Sequence, residues 1–451
     1  MHEQLLDNEA EIRSNYNHIE FLAYHDMLTN LPNKLCFLER IDTLLAEEGE
    51  SDKKHAIYFV DLDNFKTIND TLGHDYGDET LSATGQRLTQ LINEQDIVAR
   101  VGGDEFLLFK HNIHSEAEAL QFAKKLLSAF EKPFSVRNET IHVTLSIGIS
   151  IYPLHGTSHK ALIKNADIAM YHSKESGKNR VSLFDEAMSE TLNRNTKILD
   201  VLHSAIENKE IYLMYQPQVD THTRKIAGYE ALLRIESQTM GFLPPGEFVP
   251  LAEESGLIVS LGNWALKEAC LFNKSLLDSG ITPCPVSVNI SSIQLNSSSF
   301  VDTVRNILEE TGLPPQYLAL EITETALIAS FSRAIKALAL FQSMGIHIFL
   351  DDFGTGYSSL KYLTTMPIDT LKIDKSFVDN ICDSEKDSLI IKAITSLARE
   401  LRIRVIAEGV EHSSQYELLK TQYCDMIQGF LFSRPIDAAT LTEHLKNDDI
   451  L

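Results

Sequence analysis

Apolar and polar residues alternate in two different rhythms along the chain. Between Tyr24 and Phe184, helical stretches mix with four runs of strand composition: AIYFVDLD, IVARV, EFLLF and HVTLSIGISIY. The run DEAMSETLNRNTKILDVLHSAI, with little glycine or proline, then predicts a helix joining two domains. Beyond it, eight short apolar runs alternate with helical segments: IYLMYQP, AGYEALLR, VSVNIS, LALEIT, HIFLDDF, TLKID, RVIAEG and MIQGFLF. Such alternation implies a largely parallel sheet with crossovers, and eight units in about 250 residues predict a TIM-type barrel. Ahead of Tyr24, Leu5, Ile12 and Ile19 recur at heptad spacing, with Tyr16 and Ala23 as a partial second row. They predict a helix that either packs one face on the next domain or ends a dimerising signalling helix. The expected divisions are a helix over 1–22, an α+β domain over 23–185, a joining helix over 186–199 and a barrel over 200–446. The fold class is α/β.

Composition narrows the function. The 451 residues include 40 Lys and Arg against 64 Asp and Glu, a net charge of −24. That charge excludes long nucleic acids and anionic membrane surfaces as partners of the whole chain, because phosphates would be repelled. Cys36, Cys270, Cys284, Cys382 and Cys424 form no CxxC pair and no even framework, as expected of free thiols in a reducing compartment. No apolar run is long enough to span a bilayer, and the polar start MHEQLLDNEAEIRS is not a signal peptide. A cytoplasmic location is expected, with an upstream sensor or partner left open.

The ends of the barrel strands carry the chemistry. Almost every run finishes on a carboxylate, amide or cation: Gln216, Glu230, Asn289, Glu321, Asp351 with Asp352, Asp374, Glu408 and Gln428. In such a barrel these ends share one rim, where barrel active sites lie. Helix capping explains one or two of them, but does not require strong oxygen ligands on most strands. Oxygen donors without a Cys or His cluster suit hard cations such as Mg2+ or Mn2+. Two cations about 4 Å apart would offset the adjacent acids and clamp a phosphoryl displacement. Lys372 and Asp374 fall on one strand face by period-two alternation.

With Glu230-Ala231-Leu232 followed by LLR, VNIS, EITET, DDFGTGYSSL, LKIDKSFV, AEGVE and QGFLFSRP in order, this half resembles the EAL family of cyclic di-GMP phosphodiesterases. The resemblance implies that Glu230, Asn289, Glu321 and Asp351 hold one metal. Asp351 would bridge to a second, with Asp352 and Asp374 nearby. It implies Glu408 as general base or second-metal ligand, and Lys372 as the group positioning water. Gln216, Arg234 and Gln428 would bind the dinucleotide, while Glu324 and Glu411 would brace the DFGTGYSS loop. The implied product is linear pGpG, and the implied barrel has one strand reversed, which would break the all-parallel expectation at the first strand.

In the first half, VARVGGDEFLLFK predicts a β-hairpin with Gly102-Gly103 in its tight turn and Asp104-Glu105 just after it. A second acid group, Asp61-Leu62-Asp63, ends an earlier strand. Two such groups side by side would hold Mg2+ on a nucleoside triphosphate. With DMLTNLPNK ahead and NADIAMYHSKESGKNRV behind, this half resembles the GGDEF family of diguanylate cyclases, implying a nucleotide-cyclase-like α+β domain. The resemblance implies Asp61, Asp104 and the Leu62 carbonyl as metal ligands and Glu105 as activator of the attacking hydroxyl. It implies Lys66, Lys174 and Lys178 on phosphates, with Asn69 and Asp78 on guanine. Lys34 and Lys178 stand where arginine is usual. The family's Arg-x-x-Asp feedback site reads Asn93-Glu94-Gln95-Asp96, which predicts no tight product inhibition.

The favoured function is metal-dependent hydrolysis of cyclic di-GMP to pGpG, with a first domain that binds GTP and regulates or is weakly active. Alternatives are a bifunctional enzyme that also condenses two GTP molecules across a homodimer, and a non-catalytic cyclic di-GMP receptor.

Overall fold

The computed structural model describes residues 21–48, 53–328, 331–354, 363 and 365–447. The expected helix over 1–22 lies almost wholly outside them. The chain divides into two compact units, Met1–Arg194 and Asn195–Leu451, and the division falls inside one continuous helix, Glu186–Ser204.

The first unit is built on strands β1 (Lys54–Leu62), β2 (Ile97–Gly102), β3 (Glu105–Ile113), β6 (Leu145–Tyr152) and β7 (Arg180–Leu183). Their order is β2-β3-β1-β6-β7, antiparallel except for the β6–β7 pair. A short hairpin, β4 (Phe134–Val136) with β5 (Glu139–Ile141), stands apart. β1 reads as a continuous apolar run because both its faces are covered. Ala56, Tyr58, Val60 and Leu62 join a core with Ala119, Phe122 and Leu126 of the helix Glu116–Phe130. Ile57 and Phe59 face the other way, onto Phe37 and Ile41 of Lys34–Glu48 and Leu162, Ala166 and Met170 of His159–Glu175. At Gly148 of β6 that last helix approaches so closely that a Cβ would stand 2.0 Å from the Ala166 carbonyl oxygen.

The second unit is a closed eight-stranded barrel. Its strands are β8 (Ile211–Asp220), β9 (Ile226–Ser237), β11 (Val286–Asn289), β12 (Leu318–Thr323), β13 (His347–Phe353), β14 (Thr370–Ile373), β15 (Arg404–Ala407) and β16 (Met426–Gln428), with β10 (Gly241–Leu243) extending one edge. All eight apolar runs form strands. The all-parallel expectation fails at β8, which runs antiparallel to both β9 and β16 and closes the barrel between them. Outward residues such as Leu320, Ile322, Leu350, Leu371 and Ile373 enter the core beneath the surrounding helices. Inward residues stack in layers. Ala319, Phe349, Ile406 and Met426 form an apolar plug in the interior. Next along their strands come Glu321, Asp351, Glu408 and Gln428, two residues on, as a period of two requires.

Candidate functional site

The ammonium of Lys372 occupies the centre of the polar layer. Its Nζ lies 2.6 Å from Glu408 Oε1, 2.7 Å from Glu321 Oε2, and 3.4 Å from both Glu230 Oε2 and Asp351 Oδ1. The side chain is 1% exposed, so a residue type that usually reaches for solvent is held inside by four carboxylates. Burial would lower its pKa, but Asp351, Glu230, Glu321 and Glu408 hold it well above the ordinary lysine value. Burial would likewise raise Glu230, yet Lys372, Gln428 and Asn289 keep it below the usual range. Burial and the Glu230 charge push Glu321 well above that range, and burial pushes Glu408 up to about 7. One buried cation therefore leaves part of the carboxylate charge uncompensated.

Glu230 sits inside β9 rather than at its end, level with Gln216 on β8. Asn289 Nδ2 donates to Glu230 Oε1 at 2.6 Å. Asp351 and Asp352 are neighbours on a strand, and a regular strand would aim them at opposite faces. The β13–β14 register slips between Leu350 and Phe353, and Asp352 adopts a left-handed backbone with φ of 56°. This bulge turns both acids toward one place. Carboxylate oxygens of Asp351, Asp352 and Glu408 lie within 4.8 Å of one another. Burial, then Asp351 and Asp374, raise the pKa of Asp352.

Asp374 is placed differently from its alternation partner. β14 stops at Ile373, and Asp374 caps the helix Lys375–Asp379 by accepting from the Ser376 N–H at 3.1 Å. Glu411 accepts from Lys375 Nζ at 2.6 Å, and Glu324 opens a short helix after β12. Their expected bracing of the DFGTGYSS loop concerns residues 352–359, of which 355–359 lie outside the described residues. A cavity of about 330 Å3 is lined by Gln216, Glu230, Asn289, Asp351, Glu408, Gln428 and the exposed ring of Phe430. A more apolar cavity of about 490 Å3 also includes Asn289 and takes in Leu232, Arg234, Pro245 and Phe248. Pro245, Phe248 and Phe430 carried no sequence expectation. The aromatic inside QGFLF was the available signal.

In the first unit, Asp61 lies opposite Glu105 across β1 and β3, and the Leu62 N–H donates to the Asp104 carbonyl at 3.3 Å. Lys174 Nζ lies 2.7 Å from Asp61 Oδ2. Burial pushes Asp61 up to about 6 despite that lysine, with Asp104 and Glu105 adding to the rise. Burial and then Asp167 raise Glu105. Asp167, on the helix His159–Glu175, is a site neighbour the motifs did not single out. The hairpin turn is shifted by one residue from its expected place. Gly102 pairs with Glu105, so the turn is Gly103-Asp104, and Asp104 occupies the tip itself. Arg100 holds it: Nε and Nη2 donate to the Gly103 carbonyl at 3.0 and 2.7 Å, while Nη1 donates to both oxygens of Asp26 at 3.0 Å. Asp26 opens the DMLTNLPNK segment, so one guanidinium ties that motif to the turn.

Asp63 is turned inward, accepting from Thr144, Ser146 and the Asn179 N–H. Lys178 Nζ donates to Asn64 Oδ1 at 2.7 Å, and Lys66 and Asp78 are exposed. Asn69 packs against Gly77, where a Cβ would stand 1.9 Å from its Oδ1. Asp96 is engaged internally, by Lys110 Nζ at 3.1 Å and by the N–H groups of Asn93 and His111 at 3.0 Å.

Comparison with known proteins agrees with both units. Residues 200–435 match the EAL domain family, and residues 23–180 match the family described as diguanylate cyclase, GGDEF domain. The chain belongs to the tandem GGDEF–EAL proteins. The bifunctional diguanylate cyclase/cyclic di-GMP phosphodiesterase MucR of Pseudomonas aeruginosa is 39% identical over 420 residues, 93% of this chain and 61% of that protein. The cyclic di-GMP phosphodiesterase NbdA of the same organism is 37% identical over 425 residues, 94% of this chain and 54% of that protein. This GGDEF–EAL chain thus spans about half to three-fifths of the length of these relatives. A solved structure of the PaMucR phosphodiesterase in complex with c-di-GMP shares 40% identity, with a TM-score of 0.52, covering 54% of this chain and 99% of that one. No helix among the described residues is long and apolar enough to cross a membrane.

Proposed function

We propose that the barrel hydrolyses cyclic di-GMP to pGpG with the help of divalent cations, Mg2+ or Mn2+. The carboxylate cluster of Asp351, Asp352 and Glu408 beside Glu230 and Glu321 carries this reading. The donor set fits hard cations: it is all oxygen, it exceeds the charge of Lys372, and Glu321 Oε1 is buried without a hydrogen-bond partner among the described residues. Glu230, Asn289, Glu321 and Asp351 would hold one cation, with Asp351, Asp352 and Asp374 toward a second. Such cations polarise a phosphodiester and stabilise the attacking and leaving oxygens.

The chain's own groups do the rest. Glu408, with its raised pKa, accepts a proton from the attacking water. Lys372 holds Glu408 and Asp351 in place from below. The water oxygen bonds to phosphorus, the P–O3′ bond breaks, and the leaving 3′-oxygen takes a proton from solvent, giving a 3′-hydroxyl and a 5′-phosphate. Arg234 and Gln216 bind the substrate's phosphate and polar edges, while Phe430 offers a face for a guanine. The test is incubation with cyclic di-GMP and Mg2+, with products separated by chromatography. Formation of pGpG is expected. Bound but unreacted substrate would favour the receptor reading.

The grouping of Asp61, Asp104, Glu105 and Lys174 favours a second activity, GTP binding with Mg2+ in the first unit and cyclic di-GMP synthesis across a homodimer. Supplying GTP to a Glu230→Ala variant tests it, and accumulation of cyclic di-GMP is expected if the cyclase acts. A reducing cytoplasmic setting and an upstream sensor or partner complete the proposal.

A further inference from the structure

Within the barrel, Glu230 rests on a row of buried amides that runs from the substrate-side Gln216 and Gln428 back to Gln218, to which the reaction above gives no role. Gln428 Nε2 donates to Glu230 Oε2 at 2.6 Å and to Gln216 Oε1 at 3.2 Å. Gln218 Nε2 donates to Gln428 Oε1 at 3.1 Å and to Ser287 Oγ at 3.4 Å. Gln218 is 1% exposed. The row exists because β8 runs between β9 and β16: Gln218 pairs with Gln428 on one side and Gly228 on the other.

The row has a fixed polarity. An ionised carboxylate only accepts, so Gln428 must turn its NH2 to Glu230. Its carbonyl then faces Gln218, which must answer with its own NH2. The Gln218 carbonyl is thereby sent toward Gly228, where a Cβ would stand 2.6 Å from that oxygen. A flipped Gln428 would set a carbonyl oxygen against the Glu230 carboxylate. Gln218 is the group that holds the Gln428 carbonyl from behind.

We infer that Gln218 is a positioning residue for cation binding, locking the amide of Gln428 and through it the orientation of Glu230. The inference rests on the proposed role of Glu230 as a cation ligand. Groups standing behind metal ligands typically change affinity or activity about 10- to 100-fold when lost. The test uses the full chain and Mn2+ alone, with free Mn2+ read by electron paramagnetic resonance and without nucleotide. Gln218→Met keeps the length and removes the donor, and Mn2+ affinity is expected to fall about tenfold or more. Gln218→Glu competes for the same NH2 that Glu230 needs and is expected to fall further. Gly228→Ala, which pushes on the Gln218 oxygen while leaving every polar group present, decides the matter if the Gln218 variants do not fold. Melting in chelator separates the roles, because a packing role lowers the midpoint and leaves Mn2+ affinity native. Glu230→Ala is the control. If it binds Mn2+ like the native chain, both the ligand assignment and the inference fall. If it loses Mn2+ while Gln218→Met, or Gly228→Ala in its place, binds normally, the inference alone is overturned.

Discussion

Replacing Lys372 with methionine keeps the length of the side chain and removes the positive charge it seats among Glu230, Glu321, Asp351 and Glu408. Deleting one partner of a buried ion pair typically costs about 3–5 kcal/mol. Here the carboxylates can take up protons in place of the lysine, so the lower figure applies, about 3 kcal/mol in chelator. A domain of this size shifts its melting midpoint by about 2–4 °C per kcal/mol, which predicts a loss of about 6–12 °C for the barrel transition. A divalent cation replaces the missing charge, and ligand at about a hundredfold over its Kd stabilises by about 2.7 kcal/mol. The gap between native and variant midpoints is therefore expected to narrow in Mn2+. Thermal unfolding followed by circular dichroism, in chelator and in Mn2+, measures both gaps. A variant that melts like the native protein in chelator, or a gap that Mn2+ leaves unchanged, would refute the view that Lys372 compensates charge at a cation site.

Glu408→Gln is expected to bind cyclic di-GMP nearly as well as the native chain while turnover drops about 10²- to 10⁴-fold, measured by calorimetry and product formation; near-native turnover would remove its role as base. Arg100→Lys keeps the charge but loses the fork spanning Asp26 and Gly103, so GTP affinity should fall about tenfold, and unchanged affinity in a calorimetric titration would mean the turn is held by other contacts. Cyclic di-GMP titrated into the full chain should fill sites of one class, at the barrel, because Asp96 is already committed to Lys110. A second tight class that disappears in Asp96→Ala would contradict this. Gly148→Ala drives a methyl group to within 2.1 Å of the Met170 nitrogen. About 3 kcal/mol of stability should be lost in urea unfolding, and a near-zero change would show that the helix His159–Glu175 can slide.

The barrel was legible in the chain because polar residues that point inward stand between apolar residues that face the surrounding helices. Leu320 and Ile322 frame Glu321, and Leu371 and Ile373 frame Lys372. Alternation could not reveal the direction of β8, since an apolar run reads the same in either direction; the family likeness supplied that expectation. Nor could it reveal how Asp351 and Asp352 share a site, because a register slip and one left-handed residue cancel the period locally. The strand β7 is only Arg180–Leu183 and carries an arginine and a serine, too weak a pattern to stand out. Arg100 and Gln218 were hidden for another reason. Their importance lies in partners distant in the chain, Asp26 and Gln428, and no local spacing points to either. A single lysine at a strand end is most often a surface cation, and only the converging strands show Lys372 enclosed.

The reversed direction of β8 also sets where the chain enters the barrel. In an all-parallel barrel the first strand would begin at the face opposite the carboxylates. Here Ile211 lies across from Ile235, near the far end of β9, so the chain arrives on the working rim. The helix Glu186–Ser204 is clamped just before that point, with Ile198, Val201 and Leu202 packed against Ile211, Ile235 and Leu243. The helix is thereby joined, through the short segment 205–210, to the rim end of the strand that carries Gln216 and Gln218.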